Sequence, residues 1–164
     1  MITLWRDDDV NKFTDVSLFM KVHSLFGKYQ KLHTVAVEMG DLWENKVIWY
    51  ILVTQKNIKV DLHGWGHKDY SVLSYQEIVD DIRRSLDYWY MNIERGYGIE
   101  AIGKDKKITT FFPPWNRVSD NLKKACIDAG LTLDNRVGGD VYNFHWWACV
   151  DDCYLDSLEQ MLKV

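Results

Sequence analysis

Two histidines four positions apart are the first feature of this sequence whose spacing suits chemistry. His63 and His67 enclose Gly64, Trp65 and Gly66, and the glycines allow the backbone to fold tightly enough to bring both imidazoles together. Imidazole nitrogens bind zinc and other first-row metals, so the pair is a candidate for two ligands of one ion. Histidine pairs at this spacing also occur by chance, and a metal site needs a further ligand from elsewhere in the chain.

A run of three aspartates, Asp7, Asp8 and Asp9, offers that ligand just after the predicted first strand. A solvated acidic turn would need no partner, but adjacent carboxylates repel one another and a cation would compensate their charge. Two histidines and one aspartate fill three positions on a divalent ion and leave the others to water and substrate, as in a catalytic site. A neighbouring aspartate can then serve as a base.

Strand-length runs alternate with segments of helical spacing along the whole chain. Strands are predicted at 3–5, 34–37, 58–62, 108–112, 131–133 and 141–144. Helices are predicted over 17–29 and 151–162, after the capping residues Asp41 and Glu44, from the capping box of Ser74 and Glu77 to a stop at Gly96 and Gly98, and from Ser119 to Gly130. This alternation predicts an α/β fold with parallel strands joined by right-handed crossovers.

The candidate residues lie where the predicted strands end. No glycine-rich turn follows the first strand, so a nucleotide-binding sheet lacks its main signature. A (β/α) barrel instead gathers chemistry at the carboxyl ends of its strands. The aspartates follow the first strand, the histidine pair the third, Pro113-Pro114-Trp115-Asn116 the fourth and His145 the last. We therefore expect these groups to converge on one rim.

Four segments, in this order, resemble the motifs of the polysaccharide deacetylases, the carbohydrate esterases of the NodB-homology type. The segment Arg6-Asp7-Asp8-Asp9-Val10 is similar to their Thr-Phe-Asp-Asp-Gly motif, and His63 and His67 match their histidine pair. Phe112-Pro113-Pro114-Trp115-Asn116 resembles Arg-Pro-Pro-Tyr-Gly, and Asn143-Phe144-His145 resembles the final Leu-x-His. The resemblance covers nearly the whole chain.

This resemblance implies a metal-dependent hydrolase that removes an acetyl or other acyl group from an N-acylated sugar or a related amide. It also implies a small, irregular or incomplete (β/α) barrel, because a full barrel takes about 250 residues and this chain has 164, expected as one domain over 1–164. The roles that it implies are Asp8 as base, His145 as acid, the Trp115 N–H as oxyanion donor with Asn116 beside it, and Asp9, His63 and His67 as ligands of a divalent metal, zinc or another first-row ion. Independently of the resemblance, Trp65 and Trp115 lie in or beside the motifs, so either ring is a candidate to stack on the apolar face of a sugar.

Several residues depart from the family pattern. Phe112 stands where the family has the arginine that orients the catalytic aspartate, and Arg6 and Arg117 are the candidates to replace it. The acid-plus-tryptophan motif of the fifth strand has its nearest trace at 134–136. The aspartate run allows Asp7 with Asp8 as the alternative to Asp8 with Asp9. Two rival functions remain. One is a diverged, inactive barrel that binds a glycan or a metal, and the other is a non-haem iron enzyme. Asp8 and His145 favour hydrolysis over the iron enzyme.

Composition excludes several other classes. Twenty basic against 24 acidic residues give a net charge of -4, so no basic field is expected to bind nucleic acid or a membrane surface. The longest apolar run, 47–53, is far shorter than the roughly 20 residues of a membrane span, and the early aspartates leave no room for a signal peptide. We therefore expect a soluble, cytoplasmic or virus-encoded protein that acts on a carbohydrate or another small acylated substrate.

The eight tryptophans divide by position. Trp43, Trp49 and Trp89 lie at apolar helical spacing and are predicted to be core residues. Four others lie in or beside the motifs, and because Trp146 and Trp147 are adjacent we expect at most one of them to face a cleft. The three cysteines are predicted to be small buried hydrophobes rather than a metal or redox site.

Overall fold

The computed structural model describes residues 2–97 and 106–163, in which six strands alternate with five α-helices. The strands are β1 (Leu4–Val10), β2 (His33–Glu38), β3 (Ile58–Gly64), β4 (Thr110–Phe111), β5 (Thr132–Leu133) and β6 (Val141–His145). The helices are α1 (Val16–Lys28), α2 (Lys46–Thr54), α3 (Tyr75–Tyr97), α4 (Asp120–Asp128) and α5 (Asp152–Leu162). The predicted alternation is confirmed.

All six strands are parallel and form one sheet in the order β5-β4-β3-β2-β1-β6. The sheet curls into an incomplete barrel, which confirms the predicted fold. Because the strands are parallel, the carboxyl ends of β1, β3 and β6 lie at the same rim. The register places Asp8 opposite His145 and Arg6 opposite Asn143.

Helices cover the outside of the sheet and divide the core into two clusters. The larger cluster contains the buried residues of α2, α3 and α4 with those of β2 and β3. Trp49 and Trp89 are buried there with ring centroids 5.0 Å apart, as predicted for core residues, and Trp43 packs against them. The smaller cluster joins α1 and α5 to β1 and β6.

Two predicted helix starts are confirmed and one is wrong. Ser74 donates to the Glu77 carboxylate from both its N–H and its hydroxyl, and Ser119 caps α4 by accepting from the Leu122 N–H. Helix α2, however, is capped by Asn45, which accepts from the Ile48 N–H, while Asp41 adopts a left-handed conformation before a short 3-10 turn. The amide of Asn45 also donates to the carbonyls of Lys12 and Thr14 in the loop between β1 and α1, which explains why it holds this position.

Two strand predictions also differ from the structure. Strand β1 continues through the aspartates to Val10, because neighbouring side chains and a main-chain N–H bond their carboxylates inside the fold. Strand β4 is shorter than the predicted 108–112. Helix α3 continues through Gly96 to Tyr97, one residue past the first predicted stop, and the second predicted stop, Gly98, lies outside the described residues.

In the described part of the chain, no helix is long and apolar enough to span a membrane. Cys126 and Cys149 are buried, as predicted, whereas Cys153 is exposed. Burial raises the pKa of both buried thiols to about 12, which keeps them protonated and unreactive.

Candidate metal centre

Asp9, His63 and His67 come together at the carboxyl rim of the sheet. Asp9 Oδ1 lies 3.3 Å from His63 Nε2 and 3.2 Å from His67 Nε2, and the three candidate ligand atoms lie within 4.8 Å of one another. Asp9 lies at the end of β1, His63 lies at the end of β3 and His67 lies in the loop that follows. Asp9 and His63 are 54 positions apart in the sequence. The predicted convergence of these three side chains is therefore seen in the fold.

A break in the strand explains how both Asp8 and Asp9 reach the rim. Successive side chains of a regular strand point to opposite faces. Asp9 has a left-handed φ of 62°, and the pairing of β1 with β2 shifts between Asp7 and Val10. Such a conformation is costly for a residue other than glycine, and residues of this kind cluster at functional sites.

The hydrogen bonding of His63 leaves its second nitrogen for a cation. His63 Nδ1 is 2.7 Å from the Phe112 carbonyl, which can only accept, so Nδ1 carries a proton and Nε2 is the nitrogen available to a metal ion. Nε2 lies 3.3 Å from Asp9 Oδ1, a buried atom without a hydrogen-bond partner. Burial alone would raise the pKa of Asp9, but contacts with His63, Trp147 and His145 lower it to about 2. An ionised carboxylate and two imidazole nitrogens at this spacing are the ligand types that a divalent metal ion takes, and a bound ion would replace any proton on the two nitrogens that face it.

A carboxylate of α3 holds the loop between the two histidines. Asp81 Oδ1 accepts from the Trp65 N–H at 2.8 Å and from the Tyr70 hydroxyl at 2.6 Å. Gly64 has a φ of 101°, and a side chain there would overlap the Tyr70 hydroxyl. No sequence signal marks Asp81, because it lies in the middle of an amphipathic helix with no motif around it.

We expect Asp81→Ala to weaken zinc binding about 10- to 100-fold, the usual cost of losing a residue that supports metal ligands. The change removes the acceptor that fixes the loop carrying His67. Isothermal titration with Zn²⁺ measures the effect. Asp80→Ala is the matched control, because the exposed Asp80 carboxylate bonds Gln76 and Arg83 of its own helix. An equal loss in both variants would contradict the assignment.

Asp8 is bonded on one oxygen and free on the other. Its Oδ2 accepts from Arg6 Nη2 and from Asn143 Nδ2, each at 2.8 Å. Its Oδ1 is buried and has no hydrogen-bond partner. A carboxylate fixed through one oxygen beside a candidate metal centre has the geometry of a general base.

Asp7 belongs to a different environment from Asp8. It accepts from the Trp146 N–H at 2.7 Å, and its other oxygen lies 3.2 Å from His33 Nε2. His33 Nδ1 in turn lies 3.3 Å from His23 Nδ1. Burial raises the pKa of Asp7 well above its ordinary value. The structure thus brings together Asp8 and Asp9 at the site, and it places Asp7 in a buried chain that the sequence did not reveal.

That chain predicts a loss of stability in acid. Burial lowers the pKa of His23 to about 4 and that of His33 to about 3. Between pH 6.5 and about 4, His23 binds a proton in the unfolded chain but not in the folded one. The free energy of unfolding therefore decreases as the pH is lowered through this range. We expect His23→Gln to flatten this fall by less than about 1.4 kcal/mol per pH unit, since its ring is not wholly shielded from solvent.

Urea unfolding at several pH values between 7 and 4.5 measures that difference. Asp7 and His33 remain in both proteins, so the comparison isolates the contribution of His23. Parallel pH curves for wild type and variant would show that His23 titrates normally in the folded state.

His145 and Trp147 lie on the β6 side of the centre. His145 Nε2 is 3.6 Å from Asp9 Oδ2, and the ring of Trp147 lies 4.8 Å from that of His145. The Trp147 indole N–H donates to Asp9 Oδ2 at 3.1 Å, and its side chain is half exposed. Trp146 instead donates its indole N–H to the Asp9 carbonyl and packs against the larger core cluster. Only Trp147 lies at the rim, in line with the expectation for this adjacent pair.

Trp115 lies on the opposite side of the centre. Its exposed ring is 4.3 Å from that of His67. Trp115 and Asn116 both have left-handed backbone angles, with φ of 54° and 57°. Within the described ranges the Trp115 N–H donates to no acceptor, whereas Asn116 Oδ1 accepts from Arg6. An unpaired N–H held in a strained turn is suited to bind a developing negative charge.

Trp65, predicted as a second platform for the sugar, contacts α3 instead. Its ring packs edge-on against Tyr88, with centroids 5.3 Å apart, and Arg84 lies 3.7 Å above its face. Arg84 covers one face of the ring, whereas the exposed rings of Trp115 and Trp147 contact His67 and His145, respectively.

Comparison with solved structures identifies the fold. The chain superposes on a family 4 carbohydrate esterase (CE4) pseudoenzyme from Bacillus anthracis with a TM-score of 0.74 and 17% identity, over 99% of this chain and 60% of that one. A family 4 carbohydrate esterase from Streptomyces lividans gives 0.71 at 15% identity, over 98% and 87% of the chains. A peptidoglycan deacetylase from Bacillus subtilis gives 0.69 at 16% identity, over 99% and 81%.

The chain therefore has the fold of the polysaccharide deacetylases, as its motifs predicted. It spans about three fifths of the length of the B. anthracis pseudoenzyme. Neither protein-family profiles nor curated proteins match the sequence.

Proposed function

We propose that this protein is a metal-dependent deacetylase that hydrolyses the acetamide of an N-acetylated sugar. The observation that carries the proposal is the convergence of Asp9, His63 and His67, in which His63 Nε2 lies 3.3 Å from an unpartnered carboxylate oxygen of Asp9 and the half-free carboxylate of Asp8 lies beside them. The proposed ion is zinc, with other first-row metals as alternatives that the same ligands accept.

The chain's own residues supply the proton transfers of an amide hydrolysis. A divalent ion bound at this centre would supply a water of lowered pKa and would polarise the acyl carbonyl. Asp8 takes up the proton of the attacking water on Oδ1, while Arg6 and Asn143 hold its other oxygen. The Trp115 N–H donates to the oxygen that becomes negative as the carbonyl carbon turns tetrahedral.

Cleavage of the carbon–nitrogen bond requires an acid, because an amine leaves readily only when it is protonated. His145 is the candidate: it lies opposite Asp8 in the β1–β6 register, and its Nε2 is 3.6 Å from Asp9 Oδ2. In this proposal His145 donates a proton to the departing nitrogen, and the products are acetate and a free amino sugar.

Two exposed tryptophans support a carbohydrate as the substrate. Trp115 is 55% exposed and its ring contacts that of His67, and Trp147 is 50% exposed and its ring contacts that of His145. Indole faces exposed at the edge of a shallow site suit the apolar face of a sugar ring. Among the similar structures, the Streptomyces protein is a carbohydrate esterase and the Bacillus subtilis protein a peptidoglycan deacetylase.

A glycan-binding protein without turnover is the second candidate. Phe112 in place of the family arginine favours it, and one of the similar folds belongs to a pseudoenzyme. The two functions differ in a single readout. We expect the zinc-loaded protein to release acetate from N-acetylglucosamine oligomers and to lose this activity after treatment with a chelator. A zinc-loaded protein that binds the oligomers and releases no acetate would establish the binding function.

A further inference from the structure

Arg6 is a fully buried charged residue whose contacts all lie at the candidate site or beneath it. It has no exposed surface, and its Nη2 donates to Asp8 Oδ2 and to Asn116 Oδ1, each at 2.8 Å. Its Nη1 approaches the Arg136 carbonyl at 3.4 Å. Burying a guanidinium is costly, and an ion pair inside a protein often contributes little net stability. The buried Nε without a partner adds to that cost, so a role in stability alone does not account for Arg6.

The other arginine that the sequence offers near the site does not reach Asp8. Arg117 is exposed and pairs with Asp69 on the loop after His67. Arg136 has an exposed side chain and pairs with Asp134 and Asp140. Within the described ranges, Arg6 is the arginine that bonds Asp8.

The ring of Phe112 packs against the Arg6 guanidinium. The Arg6 guanidinium carbon lies 4.8 Å from the centre of the Phe112 ring, and Phe112 is buried. A planar guanidinium stacks well on an aromatic face while its edges donate hydrogen bonds. The apolar residue at 112 and the arginine at 6 therefore fit each other, and an arginine at both positions would place two positive charges together.

We propose that Arg6 is the positioning residue of this site and that it links the Asp8 base to the Trp115 turn. By holding Asp8 through Oδ2 it leaves Oδ1 free for a proton, and by holding Asn116 it fixes the residue next to the Trp115 N–H. The side chain comes from the strand that carries the base, two residues away on the same face. This inference rests on the proposed deacetylase function.

The test moves the arginine instead of only removing it. We expect Arg6→Thr to lower kcat about 100-fold or more, in the range found when one donor to a reacting group is lost, with KM changed less than about threefold and zinc affinity unchanged. The double variant R6T/F112R, which places the guanidinium on β4's side of the same cavity, should recover at least about tenfold of the lost kcat. Arg6→Lys should recover less, because an ammonium lacks the planar group that stacks on Phe112 and the second nitrogen that approaches the Arg136 carbonyl.

Three outcomes would overturn the inference. One is an Arg6→Thr variant with kcat within about twofold of wild type; another is a double variant no better than the single one. The third is a larger loss of kcat for Arg117→Thr, the control for the rival arginine, which we expect to retain wild-type activity. If Arg6→Thr does not fold, Arg6→Lys decides: a folded lysine variant with unchanged kcat would contradict the role.

A second readout separates this inference from the proposed function. If the wild type releases no acetate, the deacetylase proposal fails, and crystal structures of zinc-loaded wild type and variants still test Arg6. We expect the Asp8 carboxylate to rotate away from Asn143 in Arg6→Thr and to return in the double variant. An Asp8 carboxylate that keeps its place in Arg6→Thr would show that Arg6 does not position it.

Discussion

Asp8→Asn is expected to lower acetate release by about 1,000-fold, within the range that a positioned base contributes. The amide cannot accept a proton from water, yet it fits the same space and still accepts from Arg6 and Asn143 through its oxygen. Zinc affinity should stay within about threefold of wild type, because the proposed ligand is Asp9 and not Asp8. Stopped assays of acetate release, paired with zinc titration, measure both quantities on one preparation.

Asp7→Asn is the matched control, since it makes the same chemical change one position earlier. Its oxygen can still accept from the Trp146 N–H. Because Asp7 is buried and bonds Trp146 and His33 rather than the three candidate ligands, we expect activity to be retained. Loss of activity in Asp7→Asn with activity kept in Asp8→Asn would show that the base is Asp7 and would contradict the assignment to Asp8.

His63→Ala is expected to weaken zinc binding by more than about 100-fold, beyond the cost of losing a supporting residue, and to abolish acetate release with it. The proposed ligand atom is His63 Nε2, because the other ring nitrogen, Nδ1, donates its proton to the Phe112 carbonyl. The zinc-dependent rise in melting temperature gives an independent measurement, because a ligand at 100 times its Kd stabilises the folded state by about 2.7 kcal/mol.

His23→Gln serves as the control for that experiment. His23 is also buried, but its ring nitrogen contacts His33 and not the candidate centre. We expect the zinc-induced shift in melting temperature to survive in His23→Gln and to disappear in His63→Ala. The same zinc-induced shift in both variants would show that zinc binds elsewhere.

The sequence predicted the convergence of distant residues because parallel topology decides it. Once strands and helices alternate, the carboxyl ends of β1, β3 and β6 must meet, and with them Asp9, His63 and His145. The order of the strands did not need to be known. The types of side chain at those ends then limited the chemistry to metal binding and proton transfer.

The local geometry of the site could not be predicted in the same way. Strand alternation would send Asp8 and Asp9 to opposite faces, and only the left-handed backbone at Asp9 brings both to the rim. The predicted first strand ended before the aspartates, because consecutive carboxylates are typical of a turn. The partners that bury them within β1, among them Asn143, lie far away in sequence. The role of Asp81 depends on the fold of the loop above it, which no spacing rule describes.

Anomalous diffraction at the zinc absorption edge, from crystals grown with one equivalent of Zn²⁺, tests the metal centre most directly. We predict one strong peak bound by Asp9 Oδ1, His63 Nε2 and His67 Nε2 at about 2.0–2.2 Å, with the Asp8 carboxylate beside it and still bonded to Arg6. A peak at any other cluster of residues, or no peak under conditions that saturate binding in solution, would contradict the account.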